Sequence, residues 1–140
     1  MPRLLSIDYG SKRTGLAWTD PMQIIATGVG AFDTTELMAR LADIIAKEDI
    51  EGIVVGFPIK EDGSETDSTP LVAAFIHELD AAYPEMPIYP WDEQYTSKRA
   101  TEAMIQAGAK KKKRRDKYLI NEVSAVIILQ DFMEANEEGM

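Results

Sequence analysis

At 140 residues, 45% apolar and 28% charged, the chain has the size and make-up of one ordinary globular domain, 1–140, which argues against disorder and fibrous repeats. No stretch nears the roughly 20 apolar residues of a membrane helix, and the amino terminus reaches an acid and a glycine turn too soon for a signal peptide. The chain has no cysteine, which excludes disulfides and thiolate metal sites, and its formal charge of −9 disfavours a polyanion partner unless the cations are concentrated. A cytoplasmic protein with no membrane partner is expected.

In chain order, Leu4 to Ile7 reads as a buried strand ending at Asp8, and Gly15 to Thr19 as its hairpin partner, with Gly10 and Gly15 bounding the turn. A third antiparallel strand is expected over Ile24 to Phe32, after the turn-like Asp20-Pro21. Asp33 and Glu36 form a capping-box-like pair, and Leu37, Met38, Leu41, Ile44 and Ile45 follow at helical spacing. Gly52 to Gly56 is continuous and β-branched, the pattern of a central strand covered on both faces. Residues 57–69 are rich in turn formers and make a long loop. A helix then starts near Thr69-Pro70, buries Val72, Phe75, Ile76 and Leu79, and ends before Pro84. Met86 to Tyr89 lies between prolines, as an edge strand would. Helices from about Ser97 to Ala107 and from about Lys117 to Ala135 complete the order β-β-β-α-β-α-β-α-α, an α/β fold with one five-stranded mixed sheet flanked by helices.

Two acidic positions fall at strand ends. Asp8 meets the glycine turn, where backbone can approach a phosphate while the acid holds a cation, or where the acid simply bonds its own turn. Asp92-Glu93 stands beyond the fifth strand, as a solvated loop pair or as a second ligand source. If these strands run parallel, their carboxyl ends share one rim. The cations are concentrated: Lys110, Lys111, Lys112, Lys113, Arg114 and Arg115 are consecutive, and with Lys117 make nearly half of the fifteen basic residues. The run is read either as a mobile, solvated loop or as a phosphate-binding patch. His77, alone on the polar side of its helix, reads as a surface residue, and Trp18 and Trp91 as packing residues beside the sheet.

Ile7-Asp8-Tyr9-Gly10-Ser11-Lys12-Arg13-Thr14-Gly15-Leu16-Ala17, Ile53-Val54-Val55-Gly56-Phe57-Pro58, Asp92-Glu93-Gln94-Tyr95-Thr96-Ser97 and Ser124-Ala125-Val126-Ile127-Ile128-Leu129-Gln130, in this order, resemble the motifs of the YqgF/RuvX family across essentially the whole chain. The resemblance implies a ribonuclease H-like fold, similar to that of RuvC resolvases, and a nuclease of the 5′ end of pre-16S ribosomal RNA or, alternatively, of Holliday junctions. It implies a Mg²⁺ or Mn²⁺ site held by Asp8, Glu93 and a third position on the last helix. That third position is usually aspartate and here is Asn121, which brings no charge. Glu122, one helical residue on and turned by about 100°, does not replace it. The arginine usual after the Asp-Glu pair is Gln94 here, one phosphate-binding cation fewer.

Catalysis by Asp8, Glu93 and Asn121 is therefore expected, with Lys12, Arg13 and Lys110 to Arg115 positioning an RNA precursor or branched DNA, or ribosomal assembly intermediates, on a monomer or homodimer. The asparagine also admits a weakened nuclease that acts as a nucleic-acid or ribosome-assembly binding module. The Asp-x-Gly-x-x-x-x-Gly pattern at Asp8 is similar to actin-like phosphotransferases too, but those close two such domains over a nucleotide and this chain has the length of one.

Overall fold

The computed structural model describes residues 2–58, 60, 62–93, 96–108, 110 and 116–138, without the side chains of 93, 96, 97, 137 and 138. Strands β1 (Arg3–Asp8), β2 (Arg13–Thr19) and β3 (Ala26–Asp33) form an antiparallel meander, and β4 (Ile50–Pro58) and β5 (Ile88–Glu93) extend it in parallel with β1. The sheet order is β3-β2-β1-β4-β5, which places β1 at the centre.

The helices divide between the two faces. Leu37 and Leu41 of α1 (Leu37–Lys47), and Val72, Phe75 and Leu79 of α2 (Thr69–Ala82), pack on Leu5, Ile7, Leu16, Ile53 and Val55. On the opposite face Leu4, Ala17 and Val54 meet Ala125, Ile128, Leu129 and Phe132 of α4 (Lys117–Glu138). The alternation of β1 explains the division, since successive side chains point to opposite faces. Outside α4 lies α3 (Thr96–Gln106), tied by a bidentate pair from Arg99 to Asp131 at 2.7 and 3.1 Å. Covered on two sides, α4 is apolar through its middle, where Val126, Ile127, Ile128 and Leu129 are consecutive. Ser6 donates from its hydroxyl to the Ala125 carbonyl at 2.7 Å and fixes the helix over the central strand.

Three local expectations change. The third strand begins at Ala26 rather than Ile24, because the backbone N–H groups of Ile24 and Ile25 are taken by the Asp20 carboxylate at 2.7 Å each. Asp33 caps nothing with its side chain, and Thr34–Glu36 winds as a 3₁₀ turn before α1. The fifth strand runs past Pro90 to Glu93, since a proline is tolerated on a strand with a single neighbour, so Asp92-Glu93 closes the strand instead of following it.

Candidate active site

The parallel strands β1, β4 and β5 bring Asp8, Pro58 and Glu93 to one rim of the sheet. Asp8 is the last residue of β1 and is buried, 8% exposed. Ser6 faces α4, so by strand alternation Asp8 faces α4 as well. There Asn121, in the second turn of α4, donates from its Nδ2 to Asp8 Oδ2 at 3.1 Å. Two of the three expected positions are thus in direct contact, across 113 residues of sequence. For Glu93 the ladder gives a backbone place: Phe57 pairs with Asp92 and Pro58 with Glu93, at the carboxyl ends of β4 and β5. The backbone of Glu93 therefore stands at the same rim as Asp8.

Gly15 makes the contact between Asp8 and Asn121 reachable. It pairs with Asp8 across β1 and β2, and a Cβ there would overlap the main chain of Asn121 and Glu122. Only a bare backbone lets α4 lie this close to β2. This contact is internal to the fold. Gly10 is similar, because a Cβ would strike the Arg13 carbonyl within its own turn. That turn is held shut by two hydroxyls: Thr34 donates to the Gly10 carbonyl at 2.6 Å and lies 2.8 Å from the Thr14 hydroxyl, while the Thr34 N–H reaches the Lys12 carbonyl at 2.9 Å. Glu122 lies against Gly28 of β3, two strands from Asp8.

A second cluster, which sequence reasoning missed, anchors the start of α4. Tyr118, one turn before Asn121, donates from its hydroxyl to Asp33 Oδ1 at 2.5 Å. The guanidinium of Arg13, the strand partner of Asp33, lies 5.9 Å from the centre of the Tyr118 ring. The hydrogen bond to Asp33 raises the Tyr118 hydroxyl above its ordinary pKa, with desolvation adding to the shift. The only sequence signal for this cluster was an acid at the end of β3, and the capping-box pattern explained it otherwise.

Of the expected phosphate contacts, Lys12 is exposed at the turn beside Asp8, Arg13 is half-buried, and Lys110 is exposed after α3. Lys111, Lys112, Lys113, Arg114 and Arg115 lie outside the described residues, as does Gln94. Among the described residues no three acidic or histidine side chains converge to hold a cation, and no helix is long and apolar enough to cross a membrane. His77 is exposed, and Trp91 packs edge-on against Phe132, in keeping with the surface and packing roles their sequence contexts suggest.

A family model described as "RuvX: Holliday junction resolvase" matches residues 2–135. A relative named "Putative pre-16S rRNA nuclease" in Flavobacterium johnsoniae is 43% identical over 135 residues, 96% of this chain and 98% of the relative. A protein of the same name in Porphyromonas gingivalis is 44% identical over 134 residues, covering 96% and 97% of the two chains. Among solved structures, Thermus thermophilus RuvC in complex with a Holliday junction substrate is similar with a TM-score of 0.59 and 16% identity, over 98% of this chain and 96% of that one. At such identity the likeness is one of fold, and the fold is ribonuclease H-like.

Proposed function

The chain belongs to the RuvX family, and from that premise we propose that it is a nuclease that hydrolyses phosphodiester bonds in the cytoplasm, with the 5′ end of pre-16S ribosomal RNA as its substrate. The observation that carries this reading is the meeting of Asp8 and Asn121 at the rim where β5 also delivers Glu93. The donor set suits a hard divalent cation: a carboxylate at Asp8, a second from Glu93, and an amide oxygen if the Asn121 side chain turns by half a rotation. Mg²⁺ or Mn²⁺ held there would neutralise phosphate charge and make a water more acidic.

The chain's own residues supply the rest. Asp8, fixed at the end of a central strand, holds its charge in place without reorganising. Asn121 orients that carboxylate by its hydrogen bond. Lys12 and Arg13, next to the turn, and the run from Lys110 to Arg115 attract and position the sugar-phosphate backbone. No base-reading motif accompanies them, so recognition is by shape or by unpaired ends.

Purified protein with Mg²⁺ or Mn²⁺ should trim precursor ribosomal RNA, and Asp8→Asn should lower the rate by about 10²–10³-fold while leaving the unfolding midpoint nearly unchanged, because asparagine still accepts from Asn121. Undiminished cleavage by that variant would show the site to be wrong. A second reading, resolution of branched DNA by a dimer, is favoured by the description of the matching family model. A four-way junction assayed beside the RNA distinguishes the two substrates.

A further inference from the structure

The end of the sheet opposite Asp8 carries a feature that phosphodiester cleavage does not use. The β2–β3 connection is tightly organised: the Asp20 carboxylate accepts the backbone N–H groups of Met22, Ile24 and Ile25 at 3.1, 2.7 and 2.7 Å. Gln23 takes a left-handed backbone, φ 56°, which the Cβ of any residue other than glycine disfavours. Its amide nitrogen pins it there, donating to the Pro2 carbonyl at 3.1 Å and to the Glu51 carboxylate at 2.5 Å. The outcome is unusual for a short polar-capped turn: Met22, Ile24 and Ile25 stand 65%, 66% and 60% exposed. A lone exposed apolar residue means little, but three held together on an ordered loop form a patch.

Two grooves flank this tip. One, of about 310 Å³, runs between Ile24 and Ile25 on the loop and Gln130, Met133 and Glu134 on α4. The other, of about 250 Å³, has Gln23 and Glu51 on one side and Phe132 and Asn136 on the other. Carboxylates line both, Glu134 the first and Glu51 the second. Asp20, Glu51 and Glu134 border the apolar surface, and the backbone N–H of Ile25, foremost among its bonds, holds the Asp20 carboxyl below the ordinary aspartate range. The carboxyl end of α4 adds the negative pole of its dipole. Among the described residues, two nearby cations are already paired: Arg3 meets Glu48 at 3.4 Å and lies over the Trp18 ring at 4.4 Å, and Arg99, close to Glu134, meets Asp131 at 2.7 Å.

We propose that this tip is a docking surface for another protein, and that its occupant is a cationic polypeptide segment carrying large apolar side chains. The apolar side chains pack against Met22, Ile24 and Ile25 and into the grooves, and the partner's Lys and Arg residues meet Asp20, Glu51 and Glu134. Because the tip and Asp8 stand at opposite ends of β1 and β2, occupancy leaves the candidate active site open, and the surface does not depend on the nuclease reading.

The probe is a short synthetic peptide of Lys and Leu at amphipathic helical spacing, titrated calorimetrically into the full chain, with an all-lysine peptide of equal length as the control. The amphipathic peptide should bind at least roughly tenfold more tightly than the control, shift the amide resonances of residues 20–26, and lose that advantage in Ile24→Ser/Ile25→Ser. Those side chains are exposed, so the variant should keep the wild-type melting temperature and cleavage rate; Met22→Ser, tested alone, should weaken binding in the same direction. Equal affinity for the two peptides, or unchanged affinity in the variants, overturns the proposal. So does a wild-type dimer in sedimentation equilibrium that the double variant dissociates, since the occupant would then be a second copy of the chain.

Discussion

Asn121 meets Asp8 through a 3.1 Å hydrogen bond in which the amide nitrogen faces the carboxylate, so the helix contributes a donor where the sequence resemblance implies a second charge. The two residues share one negative charge instead of two, and cation affinity depends on the number of charged ligands. Asn121→Asp should therefore raise Mn²⁺-dependent cleavage by about tenfold or more, equivalent to ~1.4 kcal/mol of transition-state stabilisation. Without metal the same variant should melt at a lower temperature, because two carboxylates at this distance repel. Added Mn²⁺ should raise its melting temperature more than that of the wild type. Equal responses of both proteins in a thermal-shift titration would show that position 121 does not face the cation.

Gly15 and Gly28 both lie under α4, but they meet different atoms of it. A methyl at Gly15 would strike the backbone of Asn121 and Glu122, which can move only if the helix moves. At Gly28 it would meet the Glu122 side chain, whose carboxylate can swing away. Gly15→Ala should cost about 3 kcal/mol in urea unfolding and Gly28→Ala about 1 kcal/mol. Gly15→Ala should also abolish cleavage in protein that is still folded, because it lifts Asn121 away from Asp8. Equal costs would mean that α4 does not rest on β2 as described.

Much of this arrangement was legible in the sequence because it is periodic. The β1–β2 hairpin and both helices of the α1/α2 face follow from strand alternation and helical spacing, whereas a rim common to Asp8 and Glu93 followed only on the condition of parallel strands, which the pairing of β1, β4 and β5 supplies. What was not legible depends on contacts between distant segments. Gly15 reads as a turn glycine until Asn121 is placed above it. Asp33 reads as a helix cap until Tyr118, 85 residues on, claims its oxygen. Ile24 and Ile25 read as the start of the third strand, because apolar, β-prone residues give no sign that the Asp20 carboxylate will take their N–H groups. The length of β5 was underestimated for a related reason: two prolines mark an edge, yet the pairing with β4 carries the strand beyond one of them.

The basic run from Lys110 to Arg115 has a signature separate from chemistry at Asp8. If these cations bind phosphates, each ion pair formed releases counterions, and replacing the six residues by serine should lower the slope of log affinity against log salt by about 1 for every phosphate no longer neutralised. A fall of at least roughly 2 is expected with a short single-stranded RNA, measured with Asp8→Asn as background so that cleavage does not interfere. Lys12→Ser should lower the slope by a smaller amount, about 1 at most. An unchanged slope in the six-residue variant would identify the run as solvated chain.

Tyr118 links the first turns of α4 to β3 through Asp33, and its effect should follow pH in a defined sense. Its folded-state pKa is raised above the ordinary 10.0, chiefly by the hydrogen bond to Asp33. A raised folded value means that the neutral hydroxyl is the form stabilised by folding. The contribution is therefore fully present below the unfolded value and disappears as pH rises through the folded one. The wild type should melt at a higher temperature than Tyr118→Phe by a constant interval at neutral pH, and the interval should shrink above pH 10.0. Tyr118→Phe should also reduce cleavage at neutral pH through a lower kcat with KM little changed, because the hydroxyl positions the helix that carries Asn121 and does not touch substrate. An interval independent of pH through the tyrosine range would show that the Tyr118–Asp33 bond does not hold the helix, and would leave Arg13, 5.9 Å from the centre of the same ring, as the anchor of α4.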